Sequence, residues 1–131
     1  MIYLLDVNAL VALGFMNHEF HARVARWIGS TRSHELASSS ITELGFVRVL
    51  SQAPAYGFTV AQARSLLLRL KQARSYPLLF LPDQQDISHL PSWVKAPKQI
   101  TDGHLSKLAG ARGAILATLD ENIPGSHLIP K

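Results

Sequence analysis

The sequence contains no cysteine. That excludes disulfides and thiolate metal sites and fits a reducing, cytoplasmic setting. No apolar run approaches the ~18 residues a membrane-spanning helix requires. The opening residues, Met1 to Asp6, carry no basic stretch and meet an acid at once, so they do not read as a signal peptide. Repeats, low-complexity tracts and long linkers are absent too. The 131 residues suit one domain, 1–131, with length enough to bury a real core. Acids are scarce: nine Asp and Glu face 13 Lys and Arg, for a formal net charge of +4.

Scarcity makes the placement of four of those acids informative. Asp6 ends the apolar run Ile2-Tyr3-Leu4-Leu5. Glu43 lies inside the apolar stretch Ile41 to Leu50. Asp102 opens the segment Thr101 to Arg112. Asp120 closes the run Ala114 to Leu119. An unpartnered buried carboxylate costs several kcal/mol, so four that converge require compensating cations, which argues for a metal site. With these four set inside, only five acids remain for the exterior. A basic outer surface around an acidic pocket suits a polyanionic substrate handled through divalent metals.

The hydrophobic pattern alternates strand and helix. Residues 2–5 read as a buried strand. Short helices follow over Ala9 to Phe15 and Asn17 to Ile28, the second with Phe20, Val24 and Trp27 or Ile28 inward and a stop at Gly29-Ser30. Glu35 to Ser38 is a weak strand and Ser40 to Ser51 a helix. Thr59 is placed to cap a helix over Val60 to Arg74, with Ala63, Leu66, Leu67 and Leu70 inward. Pro77 to Leu81 is a strand, and Pro82 to Lys98 is loop with a turn near Ile87 to Leu90. A helix over Thr101 to Arg112 stops at Gly113, followed by a strand from Ala114 and an edge strand at His127 to Ile129. This order predicts an α/β domain with a mainly parallel sheet and helices on both faces. In such sheets ligands bind beyond the carboxyl ends of the strands, where Asp6 and Asp120 fall.

Each acid also has an ordinary structural explanation. Asp6 is placed to cap a helix, although Asn8 offers the same chemistry. Ser40-Ile41-Thr42-Glu43 fits a capping box. A projection at ~100° per residue, however, puts Glu43 in the middle of the stripe formed by Phe46, Val47 and Leu50. Asp102 suits the positive end of a helix dipole, yet points with Leu105 and Ala109. Asp120 lies in a turn-like run, Leu119 to Asn122. Four separate coincidences would be needed to set all of them inward or at strand ends.

These segments together resemble a PIN domain of the VapC-type toxin ribonuclease family. The resemblance runs through Leu4-Leu5-Asp6-Val7-Asn8-Ala9-Leu10, Thr42-Glu43-Leu44-Gly45-Phe46-Val47-Arg48, Ile100-Thr101-Asp102-Gly103-His104-Leu105 and Leu116-Ala117-Thr118-Leu119-Asp120. It implies a PIN-like three-layer α/β/α sandwich with about four to five strands. It implies that Asp6, Glu43, Asp102 and Asp120 form a catalytic cluster binding Mg²⁺ or Mn²⁺, with Asn8 and Thr118 in support. The implied activity is hydrolysis of RNA by a metal-activated water, leaving 5′-phosphate and 3′-hydroxyl ends. The implied partners are RNA and a cognate VapB-like antitoxin, with a homodimer and no membrane association. Asp6 and Asp102 are expected as the principal ligands. His104 projects away from Asp102 and reads as surface or substrate-facing.

Phosphate contacts are expected from Arg64, Lys71, Arg74 and Lys107, with Arg69, Lys95 and Lys98 as further candidates. Trp93 reads as a gap-filler or dimer contact. Two other readings are weaker. A haloacid-dehalogenase-type phosphatase needs an acid where Asn8 stands. A PIN-like module that only binds RNA or protein has no use for four intact acids.

Overall fold

The computed structural model describes residues 1–30, 34–73, 75 and 77–131. Arg74, one of the expected phosphate contacts, lies outside the described residues. The elements are β1 (Ile2–Leu5), α1 (Val7–Gly14), α2 (His21–Ser30), β2 (Glu35–Ser38), α3 (Ser40–Gln52), α4 (Val60–Gln72), β3 (Leu78–Phe80), α5 (Ile100–Ala111), β4 (Ala114–Thr118) and β5 (His127–Leu128). Short 3₁₀ turns at Ile87–His89 and Pro97–Gln99 punctuate the long loop before α5.

The five strands form one sheet in the order β3-β2-β1-β4-β5, and every pairing is parallel. Side chains alternate across it, as strand geometry demands. Tyr3 and Leu5 enter a core shared with α1, α2, α3 and α4, whereas Leu4 and Leu116 enter a second core with Leu105 and Leu108 of α5. Helices thus cover both faces, the three-layer sandwich expected. The chain leaves β1 for β2 on one side and returns to β4 on the other. The crevice at the carboxyl ends of β1 and β4 is therefore the topological switch point where ligands bind in this architecture.

Three local expectations are corrected. α1 begins at Val7, earlier than Ala9, because Asp6 caps it: the Asp6 carboxylate accepts the Val7 N–H at 2.8 Å. α2 begins at His21 and not Asn17. The preceding residues turn instead, with the His18 N–H donating to the Phe15 carbonyl and the His21 N–H to the His18 carbonyl, both at 3.0 Å. Phe20, expected inward, is consequently 38% exposed. The helix closes at Ser30, as expected, and Ser30 returns its hydroxyl to the Trp27 carbonyl at 2.7 Å.

Close packing holds the Asp6 turn in place. A Cβ built on Gly45 of α3 would lie 2.5 Å and 3.1 Å from the two methyls of Val7, the residue after Asp6. Gly45→Ala is expected to cost about 1–2 kcal/mol through overpacking. Urea unfolding of the two chains measures it, and an unchanged midpoint would refute the contact. Among the described residues, no helix is long and apolar enough to cross a membrane.

Candidate metal centre

Asp6 is the most buried of the four acids, 5% exposed. One carboxylate oxygen caps α1, and the other accepts the Thr118 hydroxyl at 2.8 Å across 112 residues of sequence. Burial nevertheless raises its pKa, opposed by those two hydrogen bonds and reinforced by the charge of Asp120. Capping and membership of the site are thus one role here, not alternatives. Asn8 is free for other work: its amide oxygen accepts the Leu119 N–H at 3.1 Å and its amide nitrogen donates to Thr118 Oγ1 at 3.3 Å.

Thr118, fully buried at the end of β4, is the hub. Its hydroxyl donates to Asp6 and accepts from Asn8 and from the Asp120 N–H at 3.0 Å. One donor and two acceptor positions are all a hydroxyl has, so each is used. Asp120 stands in the turn its sequence suggested, its carboxylate accepting the Asn122 N–H at 2.8 Å.

Asp102 occupies the first turn of α5. The helix dipole there favours a negative charge, yet its carboxyl is pushed up to about 6, first by desolvation and then by the charges of Asp6 and Asp120. Asp6, Asp102 and Asp120 are therefore brought together closely enough to repel one another. Among the described residues no Lys or Arg forms an ion pair with any of the three.

Glu43 is held differently. The capping box of α3 belongs to Ser39 and Thr42, one residue earlier than the sequence suggested, so Glu43 is not used as a cap. Its carboxylate instead accepts the Ser38 hydroxyl at 2.6 Å and pairs with Lys71 Nζ of α4 at 2.7 Å. Lys71, expected on phosphate, also lies 5.3 Å from the centre of the Phe80 ring.

No group of three or more His, Asp or Glu side chains among the described residues is set to hold a metal as it stands. The donor chemistry still fits Mg²⁺ or Mn²⁺: hard carboxylate oxygens that repel one another, with no ion-paired Lys or Arg among the described residues. Asp6, Asp102 and Asp120 would hold such an ion, whereas Glu43 is paired with Lys71 and lines neither of the clefts at this centre.

Two clefts meet at this centre, and Asp102 lines both. One, of about 380 Å³, is lined by Asp6, Asn8, Asp102, Val11, Val49, His18 and Tyr56. The other, of about 320 Å³, is bordered by Asp102, Asp120, Trp93 and Lys98. Of the expected phosphate contacts, Lys98 reaches a cleft wall, Arg64 is solvent-exposed on α4, and Lys107 borders a separate hollow with His89 and Ser106. His104 pairs with Asp83, pinning the long loop to α5. His18 and Tyr56 carried no signal in the sequence, because neither sits in a motif and only folding sets them beside Asp102.

A sequence profile of the PIN domain matches residues 3–125. The chain is 37% identical to ribonuclease VapC38 of Mycobacterium tuberculosis, over 92% of this chain and 86% of the relative. It is 38% identical to ribonuclease VapC44 of the same organism, over 92% and 87%. Among solved structures it superposes on VapC20 of M. tuberculosis, a sarcin–ricin-loop-cleaving toxin, with a TM-score of 0.67 at 10% identity, covering 98% of this chain and 99% of that one. It superposes on VapBC2 of Rickettsia felis with a TM-score of 0.62 at 16% identity, covering 98% and 97%. At such identities these two likenesses speak to the fold. The profile match across nearly the whole length and the sequence relatives together establish that this chain belongs to the PIN domain family.

Proposed function

We propose that this protein is a metal-dependent ribonuclease toxin of the VapC type, a single PIN domain over 1–131 that acts in the cytoplasm and is neutralised by a cognate VapB-like antitoxin. The observation that carries the reading is the convergence of Asp6, Asp102 and Asp120 near the switch point, with Asp102 raised to about 6 and, among the described residues, no Lys or Arg ion-paired to any of the three. Its relatives named ribonucleases support the substrate class.

A bound Mg²⁺ or Mn²⁺ would supply Lewis-acid stabilisation of the phosphoryl oxygens and an acidified water. The chain's own residues do the rest. Asp6, fixed by its cap and by Thr118, and Asp102, carried on α5, present their oxygens at the meeting of the two clefts. Glu43 and Asp120 complete the acidic set. Asn8 ties the Asp6 turn to the end of β4. Lys98 supplies positive charge where the substrate backbone leaves the carboxylates. Arg64, Lys71, Arg74 and Lys107 are further phosphate contacts in this reading, Lys71 only once it leaves Glu43. A homodimer accords with the reading as well.

The test is purified protein with single-stranded RNA, in Mg²⁺ or Mn²⁺ and in EDTA. Cleavage confined to the metal arms, leaving 5′-phosphate and 3′-hydroxyl ends, is expected. Cleavage that survives EDTA, or a 2′,3′-cyclic phosphate product, would overturn the mechanism. RNA binding without cleavage in any metal would favour a non-catalytic module. Growth arrest on expression, relieved by the neighbouring antitoxin gene, is the expected sign of a toxin.

A further inference from the structure

The cleft that Asp102 shares with Tyr56 mixes two chemistries. Its walls carry the Asp6 and Asp102 carboxylates together with an imidazole, a phenol and the apolar side chains of Val11 and Val49. The imidazole is held in one state. His18 Nδ1 accepts the Phe20 N–H at 3.0 Å, so that nitrogen cannot carry a proton and Nε2 must. Burial keeps the His18 pKa below the usual imidazole value, against the pull of Glu19 and with the help of His21. The ring is therefore a neutral, fixed hydrogen-bond donor. Its backbone is anchored as well, between the Phe15 carbonyl and the His21 N–H. Tyr56 is braced edge-on by Phe15, with ring centres 5.1 Å apart and planes at 89°.

We infer that this cleft is the subsite for one nucleotide next to the scissile phosphate, with Tyr56 against its base and His18 Nε2–H donating to an acceptor on the base edge. The inference rests on the ribonuclease reading above and deepens it. A cleft of about 380 Å³ falls in the range of ~300–1,000 Å³ that small-ligand sites occupy. Unpaired RNA bases are recognised by aromatic stacking and by hydrogen bonds to their edges. A phosphate belongs beside the carboxylates, where a bound cation would offset its charge, which leaves the valine, imidazole and phenol surfaces for the base. The arrangement makes a consequence for specificity: the base at this position is selected by whether it offers His18 an acceptor.

The experiment uses the full chain and single-stranded oligoribonucleotides that differ at one base. Four variants separate the roles. Tyr56→Leu removes the ring and Tyr56→Phe keeps it. His18→Asn keeps an acceptor for the Phe20 N–H but has no atom at the Nε2 position, whereas His18→Gln keeps a donor there. Tyr56→Leu is expected to raise KM about tenfold, the scale of one lost base–aromatic contact, with kcat nearly unchanged and Tyr56→Phe close to wild type. His18→Asn is expected to erase the base preference at one position beside the cleaved bond, and His18→Gln to retain it.

A second readout needs no turnover. RNA affinity in an Asp102→Asn background, by fluorescence anisotropy, is expected to fall about tenfold with Tyr56→Leu. Mn²⁺ affinity of the Tyr56→Leu single variant, by calorimetry, is expected to match wild type. Unchanged RNA affinity, KM and base preference in both Tyr56→Leu and His18→Asn would overturn the subsite. A wild type that binds RNA but cleaves none would overturn the ribonuclease reading instead, and the affinity arm would still decide the subsite. Thermal melts identify any variant that has failed to fold, for which its paired variant stands in.

Discussion

Asp102→Asn is expected to abolish RNA cleavage and, at the same time, to stabilise the metal-free protein at neutral pH. The two effects share a cause. In the proposed mechanism Asp102 is a metal ligand; removing one forfeits several kcal/mol of transition-state stabilisation, and each ~1.4 kcal/mol is a factor of ten in rate, so kcat/KM should fall at least about 10³-fold. The stability effect follows from the raised carboxyl. Asp102 titrates near 6 in the fold against 3.8 for an unperturbed group, because of desolvation and the charges of Asp6 and Asp120. A pKa raised on folding contributes stability that is complete below the unfolded value and is lost as pH rises through the folded one. At pH 7.5 the wild type in EDTA therefore carries the whole penalty, and the neutral amide carries none. Asp102 is partly solvated, so screening reduces the gain to on the order of 1 kcal/mol, or roughly 3–6 °C in Tm for a domain of this size. Melts in EDTA should separate the two proteins at pH 7.5 and bring them together near pH 4. A variant that melts below wild type at pH 7.5 would refute the repulsion.

Thr118→Val should damage both folding and activity, although the two side chains have nearly the same shape. The hydroxyl that donates to Asp6 also accepts from Asn8 and from the Asp120 backbone. A methyl makes none of these bonds, and the oxygen it leaves behind on Asp6 is buried. Loss of a hydrogen bond to a charged group costs about 1.5–3 kcal/mol. The Thr118 bond lowers the Asp6 pKa, so its removal moves that carboxyl further up. The bond favours the ionised form, hence the stability difference should be greatest at neutral pH and shrink as acid protonates Asp6. Activity should drop about 10–100-fold, the usual effect of losing a group that orients a metal ligand. Thr118→Ser keeps the oxygen and should restore most of both. Serine and valine variants of equal activity would show that the oxygen orients nothing.

The strands and helices were legible because each is set by a local pattern. Leu4-Leu5 before Asp6, and Leu116-Ala117 before Thr118, are buried runs ending at the same edge of the sheet. Element ends were less legible wherever two residues offered similar caps. Asp6 and Asn8 compete at α1, and Ser39 and Ser40 at α3; the fold chose Asp6 and Ser39. The second choice decides how Glu43 is used. A box one residue earlier closes on Thr42 and leaves the glutamate to Ser38 and Lys71. That lysine is 28 residues away in sequence, on a neighbouring helix, and no periodicity announces it.

Acids at the strand ends of an α/β sheet follow from chain order alone, because hydrophobic period and charge placement are local properties of the chain. Which acids meet depends on how distant segments pack. Asp6, Asp102 and Asp120 repel one another through a crevice created by the β1–β4 pairing, while Glu43 is neutralised across the α3–α4 contact. Folding also set His18 and Tyr56 on one cleft with Asp102. Charge interactions fall off with distance in space and are blind to separation along the chain.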